Sequence, residues 1–191
     1  MLYLYAVTEM ARLLIVRHAK TEWNVTGRIQ GRSDVPLTEE SRLAAAELGR
    51  SLAGERIDAA YCSPLSRARE TARLILGGRM EPVCDDRLVE RDFGELEGRT
   101  YDELGLADHT RLFYALSDAK GAESDGQVFA RVRSFARDIS ARHKGQTVLV
   151  VSHGVCISYL MYALSHDSWD PSSYEMNYIK NLTVTEAETD L

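Results

Sequence analysis

Five residues of types that could do chemistry follow short apolar stretches of this chain: Arg17, His18, Arg67, Glu90 and His153. Imidazole and carboxylate groups perform nucleophilic attack and proton transfer, and arginines bind anions. Short apolar stretches are typical of buried strands, and ligands of an open α/β sheet bind at the carboxyl ends of its strands. We therefore expect the five side chains at one edge of a sheet, as an enzyme site for a small anionic substrate.

The elements that must position these residues alternate between strand and helix patterns. Continuous apolar runs predict buried strands, whereas apolar residues at helical spacing between capping residues predict helices. The predicted strands are 13–16, 57–62, 147–151 and an edge strand over 179–184, and the predicted helices run from the N-cap Thr38 to Gly54, from Ser63-Pro64 to Gly77, from Gly126 to Arg142 and through 159–164. This alternation predicts an α/β layered fold.

The composition is that of an ordinary globular protein. The chain has 191 residues, 45% of them hydrophobic, and a formal net charge of −6 from 23 Lys+Arg and 29 Asp+Glu. This length predicts a single domain over 1–191, in which residues 1–10 form an N-terminal extension and 94–125 an irregular excursion over one end of the sheet. The acidic balance, without any basic run, argues against nucleic acid as a partner.

The compartment is inferred from the cysteines and from the N-terminus. Cys62, Cys84 and Cys156 are scattered and odd in number, which favours free thiols in a reducing cytoplasm over disulfides or a zinc site. The apolar start lacks a basic region, and no run approaches the ~20 apolar residues of a membrane helix. We therefore expect a cytoplasmic protein with no membrane partner; the sequence indicates no oligomeric state.

Five sequence blocks, in register along nearly the whole chain from Arg12, resemble one protein family. Leu-Ile-Val-Arg-His-Ala-Lys-Thr-Glu-Trp-Asn at 14–24 is similar to the Arg-His-Gly-Glu-Thr signature of the histidine phosphatase superfamily, in its phosphoglycerate mutase-like branch. The likeness continues at 27–38, 63–72, 88–98 and 150–154. The resemblance implies a three-layer sandwich, with a mostly parallel central sheet and helices on both faces.

The resemblance also implies a role for each candidate residue. His18 resembles the nucleophile that forms a phosphohistidine, and Glu90 occupies the position of the general acid. Arg17, Arg67 and His153 match residues that hold the phosphoryl oxygens. The residues that match substrate-binding positions are Thr21, Asn24, Gln30, Gly31 and Gly154.

Ala19 departs from the family pattern, because many members have glycine beside the nucleophile. Alanine is unstrained there if its φ is negative and strained if its φ is positive. Specificity is expected to lie in the excursion, where the candidates to meet a leaving group are Arg99, Tyr101, Arg111 and Tyr114.

The leading hypothesis is a cofactor-independent phosphomonoester hydrolase whose partner is a small phosphorylated metabolite. A phosphoglycerate mutase is the first alternative, although the chain is short both between Glu90 and the long helix and after His153. A non-catalytic module that binds phosphorylated ligands is the second. A metal hydrolase is the third; no paired histidines support it, and the neighbouring arginines would oppose a cation.

Overall fold

A computed structural model describes residues 10–106 and 119–191 of the chain. Its strands are β1 (Ala11–Arg17), β2 (Ala59–Cys62), β3 (Val83–Cys84), β4 (Thr147–Ser152) and β5 (Val184–Thr189). Its α-helices are α1 (Glu22–Val25), α2 (Glu39–Ser51), α3 (Ser66–Leu76), α4 (Asp125–Arg142) and α5 (Gly154–Ala163), and short 3₁₀ turns lie at Asp86–Leu88, Gly94–Leu96 and Asp102–Leu104. The strands form one sheet in the order β3-β2-β4-β1-β5.

The two central strands bury apolar side chains on both faces of the sheet. Leu13 and Ile15 of β1 belong to a core shared with α4 and α5. Leu14 and Val16 belong to the opposite core, which contains residues of α3 and is packed by the end of α2. Burying each such side chain stabilises the fold by about 1.5–3 kcal/mol. The helices therefore cover both faces, and the predicted three-layer α/β sandwich is confirmed.

The pairing of β1 with β4 positions the site. These parallel strands are neighbours, with Arg17 opposite Ser152. The His18 amide donates to the carbonyl of Ser152 (2.9 Å), which continues the ladder one residue beyond β1. His18 and His153 therefore leave the sheet side by side. β2 and β3 are parallel to β4, whereas β5, at the edge, is antiparallel to β1.

The predicted last strand is wrong in position, although it is an edge strand as expected. β5 begins at Val184, not at Ile179. Leu182 has φ +58°, the only positive φ of a non-glycine residue in the described parts of the chain, and this turn interrupts extended backbone. The apolar residues at 179 and 182 pack against the two opposite cores, which reproduces the alternation of a strand without forming one.

Helix α3 also begins later than predicted. The Oγ of Ser63 accepts from the amide of Leu65 (3.3 Å) in a turn that precedes the helix. The helix starts at Ser66, whose amide donates to Oδ1 of Asp34 (2.8 Å). The end of α3 at Gly77 is confirmed, with the left-handed φ of +56° that glycine adopts easily.

Of the described parts of the excursion, 94–106 lies against the 27–31 loop and 119–125 lies against Phe93. Isolated bridges join Phe93 to Ala122 and Arg28 to Thr100. Arg111 and Tyr114 lie outside the described residues. Among the helices that are described, none is long and apolar enough to cross a membrane.

Candidate active site

A cavity of about 280 Å³ opens at the carboxyl ends of β1 and β4. Its lining combines cations, aromatic rings and amides, with Glu90 as the one carboxylate among the described lining residues. The lining residues are Arg17, His18, Lys20, Trp23, Asn24, Gly27, Arg28, Ile29, Gln30, Glu90, Phe93, Tyr101, Gly154, Val155, Met176, Asn177, Tyr178, Ile179 and Asn181.

His18 is held as a neutral ring with a defined tautomer. Its side chain is buried, and Nδ1 lies 2.7 Å from the carbonyl oxygen of Ala19. A carbonyl only accepts, so Nδ1 carries the proton and Nε2 carries the lone pair. Burial lowers the pKa of His18 well below its ordinary value, and the charges of Arg67 and Arg17 lower it further. The ring therefore presents an unprotonated Nε2, which is the form of imidazole that acts as a nucleophile.

His153 is held in the opposite tautomer. Its ring centroid lies 5.0 Å from that of His18. Arg67 donates from Nε to Nδ1 of His153 (3.2 Å), so the proton of the neutral ring lies on Nε2. Burial lowers the pKa of His153 well below its ordinary value, with the charge of Arg67 as the next cause. His153 can thus donate a hydrogen bond to an anion without being charged.

Arg67 lies behind the histidines and does not line the cavity. Its side chain is fully buried, and it also donates to the carbonyls of Ser33 (2.9 Å) and Gly31 (2.6 Å). Burial lowers the pKa of Arg67 to about 10, so the guanidinium remains charged at neutral pH. The geometry gives Arg67 a supporting contact to His153 in addition to its electrostatic effect on both rings.

Arg17 lies in the cavity wall against the first turn of α5. Its Nη1 donates to the carbonyl of Ile179 (2.6 Å), and its guanidinium lies 5.6 Å from the ring centroid of Tyr178. A Cβ on Gly154 would come within 3.3 Å of the Arg17 Cζ atom. Because glycine has no side chain at position 154, there is room for the guanidinium of Arg17.

Glu90 caps helix α5 from outside the helix. Its Oε1 accepts from the amides of Arg91 and Cys156 (both 2.9 Å), and its Oε2 accepts from the amide of Val155 (3.2 Å). The N-cap residue, His153, makes no side-chain capping bond, so Glu90 satisfies the exposed amides of the first turn. Oε2, with one hydrogen bond against two at Oε1, is the oxygen with more room for a proton.

The predicted substrate-binding residues divide into lining and supporting residues. Asn24 and Gln30 line the cavity, whereas Thr21 lies behind them and donates from Oγ1 to Oε1 of Gln30 (2.8 Å). Thr21 also caps α1 in a reciprocal pair with Asn24. Gly31 does not line the cavity either; a Cβ there would clash with Glu97 and with the backbone of Arg91.

Three buried donors at this end of the sheet have no hydrogen-bond partner in the described parts of the chain. They are Nε of Arg17, Nε2 of Gln30 and Nε2 of His153. Leaving a buried donor unpaired costs about 1–3 kcal/mol, so such groups are normally satisfied. Donors on residues in or beside one cavity are what a bound phosphoryl group would satisfy.

The segment from Met176 to Asn181 forms a wall that the sequence analysis missed. Asn181 donates from Nδ2 to the carbonyl of His18 (2.8 Å), and the amide of Leu182 donates to the carbonyl of Arg17 (3.0 Å). These contacts join residues more than 160 positions apart, so no local pattern could reveal them. The only sequence signal was the polar Asn181 inside an apolar alternation.

The structure shows whether Ala19 is strained and which described residues of the excursion line the cavity. Ala19 does not have a positive φ, and its amide donates to Oγ1 of Thr71 (3.0 Å), so the alanine is unstrained. Tyr101 lines the cavity, and burial raises its pKa to about 12. Arg99 does not line it; this exposed residue pairs with Glu103 (3.5 Å).

The residues that the structure describes include no group of three or more His, Cys, Asp or Glu side chains that could hold a metal ion. The positive charge beside the two histidines comes from Arg17 and Arg67. In other phosphoryl-transfer sites a Mg²⁺ ion supplies such charge.

Comparisons with known proteins identify the family. The family described as "Histidine phosphatase superfamily (branch 1)" matches residues 13–190. Phosphoserine phosphatase 1 of Hydrogenobacter thermophilus is 35% identical over 162 residues, which cover 81% of this chain and 76% of that protein. A 2,3-bisphosphoglycerate-dependent phosphoglycerate mutase of Bartonella bacilliformis is 34% identical over 166 residues, 80% of each chain.

A solved structure with the same fold comes from Entamoeba histolytica. It is a phosphoserine phosphatase in complex with 3-phosphoglyceric acid, with a TM-score of 0.76 and 30% sequence identity over 93% of this chain and 90% of that one. The chain belongs to branch 1 of the histidine phosphatase superfamily.

Proposed function

We propose that His18 is the nucleophile with which this chain hydrolyses a small phosphomonoester. The lone pair on Nε2 attacks phosphorus opposite the leaving oxygen, forming a P–N bond as the P–O bond breaks. Glu90 gives its proton to the leaving oxygen, so the product is a neutral alcohol. The phosphoryl oxygens accept from Arg17, Gln30 and His153, which offsets their charge in the transition state.

The second half of the reaction regenerates the enzyme. Glu90, now a carboxylate, takes a proton from water as the water oxygen attacks phosphorus and the P–N bond breaks. Inorganic phosphate leaves. His18 keeps its Nδ1 proton throughout, because that N–H group donates a hydrogen bond to the Ala19 carbonyl. No metal ion enters either step.

The observation that carries this proposal is the pair of opposite tautomers on adjacent rings. The Ala19 carbonyl leaves Nε2 of His18 unprotonated, and the Nε–H of Arg67 leaves Nε2 of His153 protonated. One ring can therefore attack phosphorus while the other donates to its oxygens. Burial, and after it the charge of Arg67, lowers the pKa of both rings and keeps them neutral.

The relatives indicate which esters to test first. Their names include phosphoserine phosphatases and phosphoglycerate mutases, and one structure holds 3-phosphoglyceric acid. These are phosphate esters of small hydroxy acids. A cavity of about 280 Å³ has room for a phosphoryl group and a leaving group of that size.

The test is a panel of phosphomonoesters assayed for phosphate release with and without EDTA, using wild type and His18→Ala. We expect release that survives EDTA in wild type and is abolished in the variant. In parallel, 3-phosphoglycerate with trace 2,3-bisphosphoglycerate is analysed for both 2-phosphoglycerate and free phosphate. Fast isomerisation without phosphate release would make the chain a mutase, and turnover by His18→Ala would remove His18 from the mechanism.

A further inference from the structure

The cations that line the cavity lack the carboxylate partners that most of the described arginines elsewhere in the chain have. Arg17, Lys20 and Arg28 all line the cavity, and none has a carboxylate within ion-pairing distance among the described residues. Elsewhere arginines pair with acids, as Arg12 does with Glu55 (2.8 Å). The proposed chemistry uses Arg17 for the phosphoryl group. Lys20 and Arg28 have no role in it.

The two unused cations lie farther out than the phosphoryl position. His18 and Glu90 are 3% and 5% exposed and lie at the cavity floor. Lys20 is exposed and Arg28 is half-buried, so both lie nearer the rim. In an in-line displacement the leaving group lies on the side of phosphorus opposite the nucleophile. A leaving group that extends away from His18 therefore extends toward the rim.

The outer cations are positioned to meet an anionic group. Arg28 donates from Nη1 to the carbonyl of Gly98 (2.7 Å), which fixes one side of its guanidinium and leaves other donors available. The Lys20 ammonium has no hydrogen-bond partner in the portions of the chain that the structure describes. Its main chain is fixed, because its carbonyl accepts from the amide of Thr38 (3.1 Å).

We propose that Lys20 and Arg28, which line the same cavity, form a subsite for a carboxylate on the leaving group and thereby determine specificity between esters. This inference rests on the proposed hydrolysis through His18. The charges of the cavity favour this subsite. A phosphoryl group supplies two negative charges against the three lining cations Arg17, Lys20 and Arg28, and the charged Arg67 behind the histidines adds to the positive excess. A carboxylate on the leaving group reduces that excess when Glu90 carries its proton.

The test compares two esters that differ at one group. 3-Phosphoglycerate carries a carboxylate where glycerol 3-phosphate carries a hydroxymethyl group. The ratio of their kcat/KM values is measured in wild type, Lys20→Gln, Lys20→Arg and Lys144→Gln. Lys144 is an exposed lysine that does not line the cavity, so its variant is the matched control.

For Lys20→Gln we expect this ratio to fall about five- to tenfold, through a higher KM for 3-phosphoglycerate. The reason is the loss of a partly solvated ion pair between the Lys20 ammonium and the substrate carboxylate. Lys20→Arg keeps most of the preference, and Lys144→Gln keeps all of it. In wild type the ratio also falls as salt is raised, because salt screens an exposed charge pair.

An unchanged ratio in Lys20→Gln, with both esters still hydrolysed, would overturn the subsite while leaving the proposed function in place. Binding of the two esters to His18→Ala, measured by calorimetry, tests the subsite without turnover. Equal affinities for both esters in that variant would also overturn it. If wild type hydrolyses neither ester but binds 3-phosphoglycerate preferentially through Lys20, the subsite stands and the proposed reaction fails.

Discussion

Proton positions on two imidazoles determine what this site can do. His18 and His153 are chemically identical side chains on adjacent strand ends, yet a carbonyl faces Nδ1 of the first and an arginine Nε–H faces Nδ1 of the second. These two contacts make one Nε2 an electron-pair donor and the other a hydrogen-bond donor. The contacts of Ala19 and Arg67 therefore determine which ring can attack and which can donate a hydrogen bond.

Arg67→Lys tests this assignment at the residue scale. Lysine keeps the positive charge, but a single ammonium cannot reproduce the planar contacts to His153, Ser33 and Gly31. We expect kcat to fall by roughly 10²–10³, because His153 would lose the contact that orients it as a donor to the transition state. Losing one such oriented donor has an effect of this size. The measurement is steady-state kinetics, with Arg69→Lys on the same helix as control. Near-normal kcat in Arg67→Lys would show that charge alone is sufficient.

Residue types were easier to predict than their contacts. His18, His153 and Glu90 could be proposed because they follow short apolar stretches, and the structure places them together. Thr21 and Gly31 matched family positions, but the structure places them behind the lining residues, where they support Gln30 and the close packing of the 27–31 loop. Sequence position does not distinguish a side chain that lines a cavity from one that supports it.

Helix α5 and Glu90 form one unit at the scale of elements. The first-turn amides of the helix have no cap from His153, and the Glu90 carboxylate satisfies two of them. The same contacts fix the carboxylate against the cavity. The first turn of α5 thus positions the proposed acid, and the acid in turn provides the hydrogen-bond acceptors that this turn needs.

The crossing of α2 and α3 gives a test of packing. Gly49 lies inside α2, and a Cβ there would come within 2.6 Å of the Ile75 carbonyl oxygen. Helix propensity alone predicts that alanine stabilises a helix interior by about 1 kcal/mol. We expect Gly49→Ala to destabilise the protein instead, by about 1–3 kcal/mol, because backbone must shift to admit the methyl group.

The matched control is Gly126→Ala in α4, where a Cβ meets nothing within 4 Å. This variant should be neutral or slightly stabilised. Urea unfolding of both variants provides the measurement. Equal stabilisation of the two would contradict the close approach of α2 to α3.

Elements whose ends are determined by local chemistry were predicted well. The Thr38 cap, the Gly77 stop and the long helix to Arg142 all depend on residues next to the helix. The predicted end of α2 at Gly54 was wrong, because α2 ends at Ser51 with Leu52 as its C-cap. The start of α3 and the start of β5 were also predicted wrongly. The first depends on Asp34 from another loop, and the second depends on a left-handed turn at Leu182 that contacts β1. Such long-range contacts leave no periodic signal.

At the scale of the molecule, the buried histidines make stability depend on pH. His18 and His153 have pKa values well below the ordinary 6.5 in the folded state. As the pH falls below about 6.5 the unfolded chain therefore binds protons first, and the free energy of unfolding decreases by up to about 1.4 kcal/mol per pH unit for each histidine. The double variant His18→Gln, His153→Gln should show a flatter dependence between pH 6.5 and 5.

Urea unfolding at pH 7, 6 and 5 measures this slope in wild type and in the double variant. Carboxylates with lowered pKa values, such as Glu123, affect stability only at lower pH, because their ordinary pKa is 4.5. An identical slope in both proteins would contradict the neutral, buried state of the two rings.

The charge of the whole chain and the charge of its site have opposite signs. The chain carries −6, whereas the described lining residues of the cavity include three cations and one acid. Local charge decides which ligand binds, so a negative net charge of the chain does not prevent an anion from binding in this cavity. The combination favours a small anionic substrate that enters one basic cavity.

The central claim is that phosphorus is transferred to Nε2 of His18, and it can be measured directly. Wild type is mixed with a phosphomonoester that it turns over, quenched in base within milliseconds, and digested for mass spectrometry that distinguishes the two phosphohistidine isomers. Because Nδ1 is hydrogen-bonded to the Ala19 carbonyl, we expect phosphate on Nε2 of His18 and none in His18→Ala. Phosphate on Nδ1, on His153 or on no histidine during turnover would contradict the account.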